Sequence, residues 1–314
     1  MTESSGNIII LCPGQGAQHV SMGSAWARKC PVAVSTFREA DAILGFALSK
    51  LCFEGPADEL DRTDVAQAAI YVTSVACWRS LQQTGGYDSV TATAGLSLGE
   101  FTALHLAGAF DFTSGLKLVR LRGQAMQEAA EASAGGMVAL VGAYTAQAQA
   151  VCQEVLNDPE NQGDEVLVAA NFNCPGQIVL SGSEAACQRA YIVARKVGLR
   201  AQMLDVVGAF HSSLMQPAAD RLAQALDETD WSLPRIPVAS NVTAQLHEND
   251  IGTIKRKLVE QLTSPVRWSD SMQWLIANMA NCQFVELAPG KVLSGLMRRI
   301  DRQYKVLSHT EPQA

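Results

Sequence analysis

The segment Thr91-Ala92-Thr93-Ala94-Gly95-Leu96-Ser97-Leu98-Gly99-Glu100-Phe101-Thr102-Ala103-Leu104-His105-Leu106-Ala107-Gly108 decides the fold. A buried strand over Thr91–Leu96 runs directly into a helix that starts close to Ser97, and Gly108 supplies its stop. At the junction, Gly95-Leu96-Ser97-Leu98-Gly99 fits G-x-S-x-G, the sharp strand-to-helix turn that lifts a serine hydroxyl above a sheet. The two glycines are needed because a side chain on either would crowd the neighbouring strand or helix while the serine is held in a strained conformation. A serine at a helix start also faces backbone N–H groups and the positive dipole end, which suit a developing oxyanion, and Leu98 N–H is the natural first donor. The alternative is an ordinary βα turn that happens to contain a serine.

Outward from this unit, Asn7–Cys12 is a second short apolar run, and it ends in Pro13-Gly14-Gln15-Gly16. Strands alternating with helices predict a mostly parallel sheet covered on both faces. The middle of the chain has a different order. Met137–Val141 reads as a strand, Thr145–Leu156 as a helix, Val166–Ala170 and Gln177–Leu180 as two strands, Glu184–Val197 as a helix and Ala201–Val206 as a strand. That β-α-β-β-α-β order is a ferredoxin-like unit. The expected fold is therefore α/β, a hydrolase-like domain of residues 1–131 and 208–314 carrying an inserted ferredoxin-like subdomain at 132–207, with Gly135-Gly136 and Gly208 as hinges.

A chain of 314 residues with 48% apolar and 18% charged content can bury a large core. Its eight cysteines include no CxxC pair and no Cys/His cluster at zinc spacing, so they read as buried small hydrophobes in a reducing compartment, and no metal site is expected. Met1–Gly6 is polar with no basic stretch, and the apolar run after it is too short for a signal or a membrane span. A cytoplasmic location without membrane attachment is expected. A net charge of −7 argues against nucleic acid as a partner.

A serine nucleophile needs a base. Of five histidines, His19 falls in a turn, His105 inside the helix after Ser97, His247 in the polar Gln245–Asp250 loop and His309 in the tail. His211, in Gly208-Ala209-Phe210-His211-Ser212-Ser213, stands where the chain re-enters the larger domain, and elimination favours it. A helix from about Ser114 to Ala132 buries Leu118, Val119, Ala125, Met126 and Ala129, and Arg122 shares that face while Lys117 and Arg120 can point to water. An inward guanidinium keeps its proton and costs on the order of several kcal/mol unless an anion meets it. That anion is either a core carboxylate or a substrate carboxylate docked bidentately, in which case the acyl group is a dicarboxylic half-thioester. In Gly14-Gln15-Gly16-Ala17-Gln18 the third glycine of G-x-G-x-x-G is missing, because His19 stands there, and no Gly-Lys-Ser/Thr follows. The turn instead suits close backbone approach to the site, with the Gln15 amide as a second oxyanion donor, or is simply a turn.

Together these segments resemble the malonyl transacylase family, known also as the acyltransferase domain of fatty-acid and polyketide synthases. Pro13-Gly14-Gln15-Gly16-Ala17-Gln18, Gly95-Leu96-Ser97-Leu98-Gly99-Glu100 and Gly208-Ala209-Phe210-His211-Ser212 look like its ordered motifs. Further matches are Asn171–Gln177, Gln261–Val266 and Glu286–Leu293, so the resemblance covers essentially the whole chain. It implies Ser97 as nucleophile, His211 as base, Arg122 as clamp on the malonyl carboxylate, and the Gln15 and Leu98 amides as oxyanion hole. It further implies that the Gln261 main-chain carbonyl orients His211 and that Phe210, a bulky ring, crowds an α-methyl branch. Leu96 departs from the histidine that many members have, though others have leucine.

What the resemblance implies for activity is transfer of malonyl from malonyl-CoA to the phosphopantetheine thiol of acyl carrier protein, by a ping-pong route through a malonyl-serine, with no cofactor, in a monomer. An acidic carrier would meet a basic surface, from Arg189, Arg195, Lys196 and Arg200 or from Lys255, Arg256 and Lys257. Competing readings are a serine thioesterase or hydrolase, malonyl loading of a polyketide carrier, and a non-catalytic carrier-binding protein in which Ser97 is only a turn residue.

Overall fold

The protein, seen in a computed structural model, is described over residues 7–312 apart from Gly86, Asp88, 159–162 and Asp164. Met1–Gly6, read above as a polar start, lies outside the described residues.

Among the described residues, eight strands form two separate sheets. The first is wholly parallel, in the order β2 (Val90–Gly95), β1 (Asn7–Cys12), β7 (Cys282–Leu287), β8 (Val306–His309). Its central strand shows why the run Ile8-Ile9-Ile10-Leu11-Cys12 is apolar without alternation. Ile8, Ile10 and Cys12 enter one core, Ile9 and Leu11 enter the core on the opposite face, and both faces are dry. Beneath lies the helix Thr63–Thr84, buried on nearly every side, with the helix Phe112–Ala132 against it.

The second sheet is antiparallel, in the order β4 (Leu167–Cys174), β5 (Gln177–Ser183), β3 (Gly135–Val141), β6 (Arg200–Met203). Here the period-two rule operates: Met137 and Ala139 of β3 join the main core, whereas Val138 and Leu140 pack under the helices Thr145–Leu156 and Glu184–Lys196. The second sheet is thus laid on the first domain by one face and covered by its own two helices on the other.

Four local expectations shift. β4 continues to Cys174 instead of stopping at Ala170, because Asn171, Phe172 and Cys174 stay paired with Val179, Ile178 and Gln177 of β5, while on the other edge Phe172 N–H donates to Val266 O (2.9 Å) and Val266 N–H to Ala170 O (2.8 Å). β6 ends at Met203, and Leu204–Val206 leaves the sheet. Gly135 and Gly136 are not a loose hinge but ladder residues of β3, opposite Ser183 and Gly182. His309 is not in a tail: it ends β8, is buried, and its Nε2 lies 2.5 Å from the Tyr87 hydroxyl.

Candidate active site

The parallel sheet gathers its strand-end turns at one edge. β1 delivers Pro13–Gln18, and β2, paired with it in register Cys12↔Gly95, delivers Leu96-Ser97. Ser97 caps the helix Leu98–Leu106 with φ 52° and ψ −105°, a conformation L-residues seldom adopt. The glycines make it possible: a Cβ on Gly95 would lie 1.8 Å from the Gly99 carbonyl carbon, and one on Gly99 would lie 2.1 Å from Cys12 O. Leu98 is the first residue of that helix, so its amide is one of the orphan donors of a helix start.

Ser97 and His211, separated by 114 positions, meet with Oγ and Nε2 2.9 Å apart. His211 Nδ1 lies 2.7 Å from the main-chain carbonyl of Gln261. A carbonyl only accepts, so Nδ1 carries the proton and Nε2 is the bare acceptor for the serine hydroxyl. Burial, then the charge of Arg122, depress the imidazole to about 4, against the smaller opposing pull of the Gln261 carbonyl. At neutral pH His211 is therefore an unprotonated base.

Arg122 is 1% exposed and comes off the helix Phe112–Ala132 beneath Ser97. Its Nη1 donates to Gln67 Oε1 (2.7 Å), and its Nη2 donates to Ser97 Oγ (3.0 Å) and Gln261 Oε1 (3.0 Å). Nε is buried without a partner. No carboxylate pairs with it directly among the described residues. Burial lowers it to about 10, with Glu100 pulling the other way, so it stays a cation at neutral pH. Its neighbour Arg120 does not reach for water as expected but bonds Asp64.

Above Ser97 opens a cleft of ≈ 570 Å³ between the two sheets, walled by Gln15, Thr63 and Met126 on one side and by Met137, Asn171 and Val179 on the other. Phe210 and His211 close its floor. The structure thus brings Ser97, His211, Arg122, Gln261, Gln15 and Phe210 into one place, with Leu98 at the helix start beneath. Of the expected basic surface, Arg189 pairs with Glu165, Lys255 with Asp227 and Lys257 with Glu260, and Arg195 donates to Tyr191.

Three residues under Ser97 have no role in the sequence reading. Asn241 accepts from Ser97 N–H (2.6 Å) and donates to Gly95 O (2.7 Å), strapping the elbow from behind. It arrives there because Ala239 N–H donates to Thr93 O (2.9 Å), laying the 237–239 segment along the free edge of β2. Glu100, wholly buried, accepts from Gln261 Nε2 (2.6 Å) and Asn241 N–H (3.2 Å), and from His247 Nε2 (2.7 Å). His247 sits in a loop, as expected, yet its side chain is buried. The only sequence sign of this layer was a carboxylate three positions past Ser97, at the apolar start of a helix.

Residues 9–309 match the acyl transferase domain family. Over 307 residues the chain is 41% identical to the malonyl CoA-acyl carrier protein transacylase of Bacillus subtilis, covering 98% of this chain and 94% of the relative. Over 303 residues it is 39% identical to the protein of the same name from Escherichia coli, covering 96% and 95%. Among solved structures, the malonyl-CoA:acyl carrier protein transacylase of Xanthomonas oryzae superposes with a TM-score of 0.91 at 40% identity, covering 99% of this chain and 96% of that one. A chain of a complex described as a type II PKS acyl-carrier protein with its malonyl-transacylase gives 0.91 at 36%, covering 98% and 96%. Since that agreement spans both sheets and the turns that carry Ser97 and His211, the chain belongs to the acyl transferase domain family.

Proposed function

We propose that this protein moves a malonyl group from malonyl-CoA to the phosphopantetheine thiol of an acyl carrier protein, through an ester on Ser97. The observation that carries the reading is the position of one hydroxyl. Ser97 Oγ stands 2.9 Å from a neutral imidazole nitrogen and 3.0 Å from a buried guanidinium that no carboxylate touches directly among the described residues. A base alone would serve any acyl ester. The cation beside it, with no carboxylate in direct contact, selects an acyl group that ends in a negative charge.

In the first half-reaction the malonyl carboxylate takes over the Arg122 edge that Ser97 Oγ occupies in the free protein. The hydroxyl attacks the thioester carbonyl and its proton passes to His211 Nε2. The oxyanion faces the Leu98 amide at the helix start and the Gln15 amide. The C–S bond then breaks and the imidazolium protonates the CoA thiolate, leaving the malonyl ester and a neutral His211. In the second half the carrier thiol gives its proton to His211, attacks the ester, and Ser97 Oγ leaves with the proton returned. Thioester, ester and thioester are close in energy, so the steps need no redox group and no metal. The substrate also strengthens its own base: Arg122 is the second cause of the depressed His211 pKa, and a carboxylate docked on it cancels that field.

The comparisons support the substrate and the acceptor, since relatives that match nearly the whole chain are transacylases between malonyl CoA and acyl carrier protein. Among the described residues no helix is long and apolar enough to cross a membrane. We take the enzyme to work as a monomer in the cytoplasm, with residues 132–207 as its smaller subdomain. The test is intact-mass spectrometry after a pulse of malonyl-CoA. The wild type gains one malonyl group, Ser97→Ala gains none, and added carrier thiol discharges the adduct. Discharge by water as fast as by thiol would make the protein a hydrolase, and an unlabelled wild type would end the proposal.

A further inference from the structure

Arg122 and Glu100 are both buried, and one amide separates them. The Gln261 carboxamide points its NH₂ at Glu100 Oε2 (2.6 Å) and its oxygen at Arg122 Nη2 (3.0 Å). Opposite charges at its two ends allow only that orientation, because a flipped amide would set an oxygen against a carboxylate and an NH₂ against a guanidinium. Glu100 is held from its other side by His247 Nε2–H. The His247 Nδ1 is buried without a hydrogen-bond partner. The three donors converging on Glu100, namely His247 Nε2–H, Gln261 Nε2–H and Asn241 N–H, suit an ionised carboxylate.

We propose that Glu100 is the resident counter-ion of Arg122, acting through Gln261 and fixed by His247, and that it sets how tightly the guanidinium holds a carboxylate entering from the cleft. This rests on the reading that the substrate carboxylate docks at Arg122. A cation alone in the interior would hold a carboxylate-ended acyl group strongly in every state along the reaction, and such uniform binding lowers KM without raising kcat. A second negative charge one amide away keeps Arg122 solvated by the protein while leaving its attraction for an incoming anion moderate. Glu100 touches no reacting atom in this scheme. It is a positioning residue that works through Gln261.

Glu100→Gln isolates the charge. Asn241 N–H and Gln261 Nε2–H need an acceptor, so the new amide oxygen stays on their side and its NH₂ turns to His247, which accepts by moving its proton to Nδ1. The hydrogen bonds at position 100 keep their partners, and the changes are the lost charge and a proton on the buried His247 Nδ1, the second being common to every background in which the variant is made. The expected result is that free malonate raises the melting temperature of Glu100→Gln more than that of wild type. The malonate inhibition constant and the KM for malonyl-CoA fall by roughly five-fold or more, while the KM for acetyl-CoA stays within about two-fold. Malonate protection equal to or weaker than wild type, or an equal change on both thioesters, overturns the proposal. The second measurement is a stability cycle with Arg122→Leu. Glu100→Gln should destabilise the wild-type background and cost little in the Arg122→Leu background; the same cost in both means that Glu100 only ties down the Asn241 loop, and the proposal fails. The wild-type malonyl adduct is read in parallel, so a missing adduct counts against the function and a present adduct with an unselective variant counts against this inference alone.

Discussion

A single oxygen at Ser97 takes part in two contacts that pull in different directions: its proton is drawn to His211 and its lone pair to Arg122. The first prepares the hydroxyl for attack, and the second marks the edge of Arg122 that an incoming carboxylate takes over and that an acetyl group leaves unused. Arg122→Ala should therefore cost malonyl transfer 10²-fold or more, by order of magnitude of a lost charged contact, while acetyl transfer survives. Because the guanidinium charge depresses His211, the same variant should move the acid limb of acetyl transfer to higher pH. Initial rates with both thioesters from pH 4 to 8 check this, and equal losses on the two substrates or an unmoved limb would remove the assigned role. At this scale Ser97 is legible in the chain because its glycines are, each excluded from carrying a Cβ by a named backbone atom. His211 followed by elimination and Arg122 by its place on an apolar helix face. Asn241, Glu100 and His247 were not legible. Their contacts join positions more than 140 apart, and a polar residue in a loop carries no local mark of being folded inward.

The helix Phe112–Ala132 links residue chemistry to packing. Leu118, Val119, Ala125, Met126 and Ala129 are buried along with Arg122, as the 3.6-residue spacing predicts. Its start lies two residues earlier than the apolar pattern suggests, because the cap is Asp111, whose carboxylate accepts from Ser114 N–H at 2.7 Å. That bond holds Asp111 below the usual carboxylate range. Asp111→Ala should cost about 1 kcal/mol of stability, the usual worth of such a cap, and leave acylation of Ser97 unchanged. Urea titration with a mass assay of the adduct tests both halves; a loss of acylation at equal folding would mean that the cap also sets Arg122. Strand boundaries were less legible than helix faces. The far half of β4 is held between β5 and Val266, the latter almost a hundred residues downstream, and β6 stops where Leu204 turns toward the cleft.

Across the whole molecule, several histidines lean the same way in acid. His211 is depressed to about 4 chiefly by burial, and burial also lowers His105 and His309. Unfolded, each binds its proton near pH 6.5, so between pH 6.5 and about 4 the unfolded chain holds more protons than the folded one. The stabilisation is complete above pH 6.5 and is lost as pH falls toward 4. Burial of Glu286 raises its carboxyl and opposes this over the lower part of that range, one group against three. The urea midpoint should thus drop between pH 7.5 and pH 5; a midpoint that holds steady or rises would show that these rings are not neutral in the native state. The two-sheet architecture itself was legible, since a run of unbroken apolar residues at 8–12 demands two dry faces whereas the middle of the chain follows the β-α-β-β-α-β order.

The stretch from Gln261 to Val266 is short, and it is fastened at both ends to different things. Gln261 grips the imidazole, the guanidinium and the Ser97 carbonyl, while Val266, five residues on, is stitched into the backbone of β4. β4 in turn supplies Asn171 and Asn173 to the far wall of the cleft. The far wall of the cleft and the carbonyl that aims the imidazole thus sit at the two ends of one six-residue strap, so a change that shifts β4 has a short covalent route to the partner of His211.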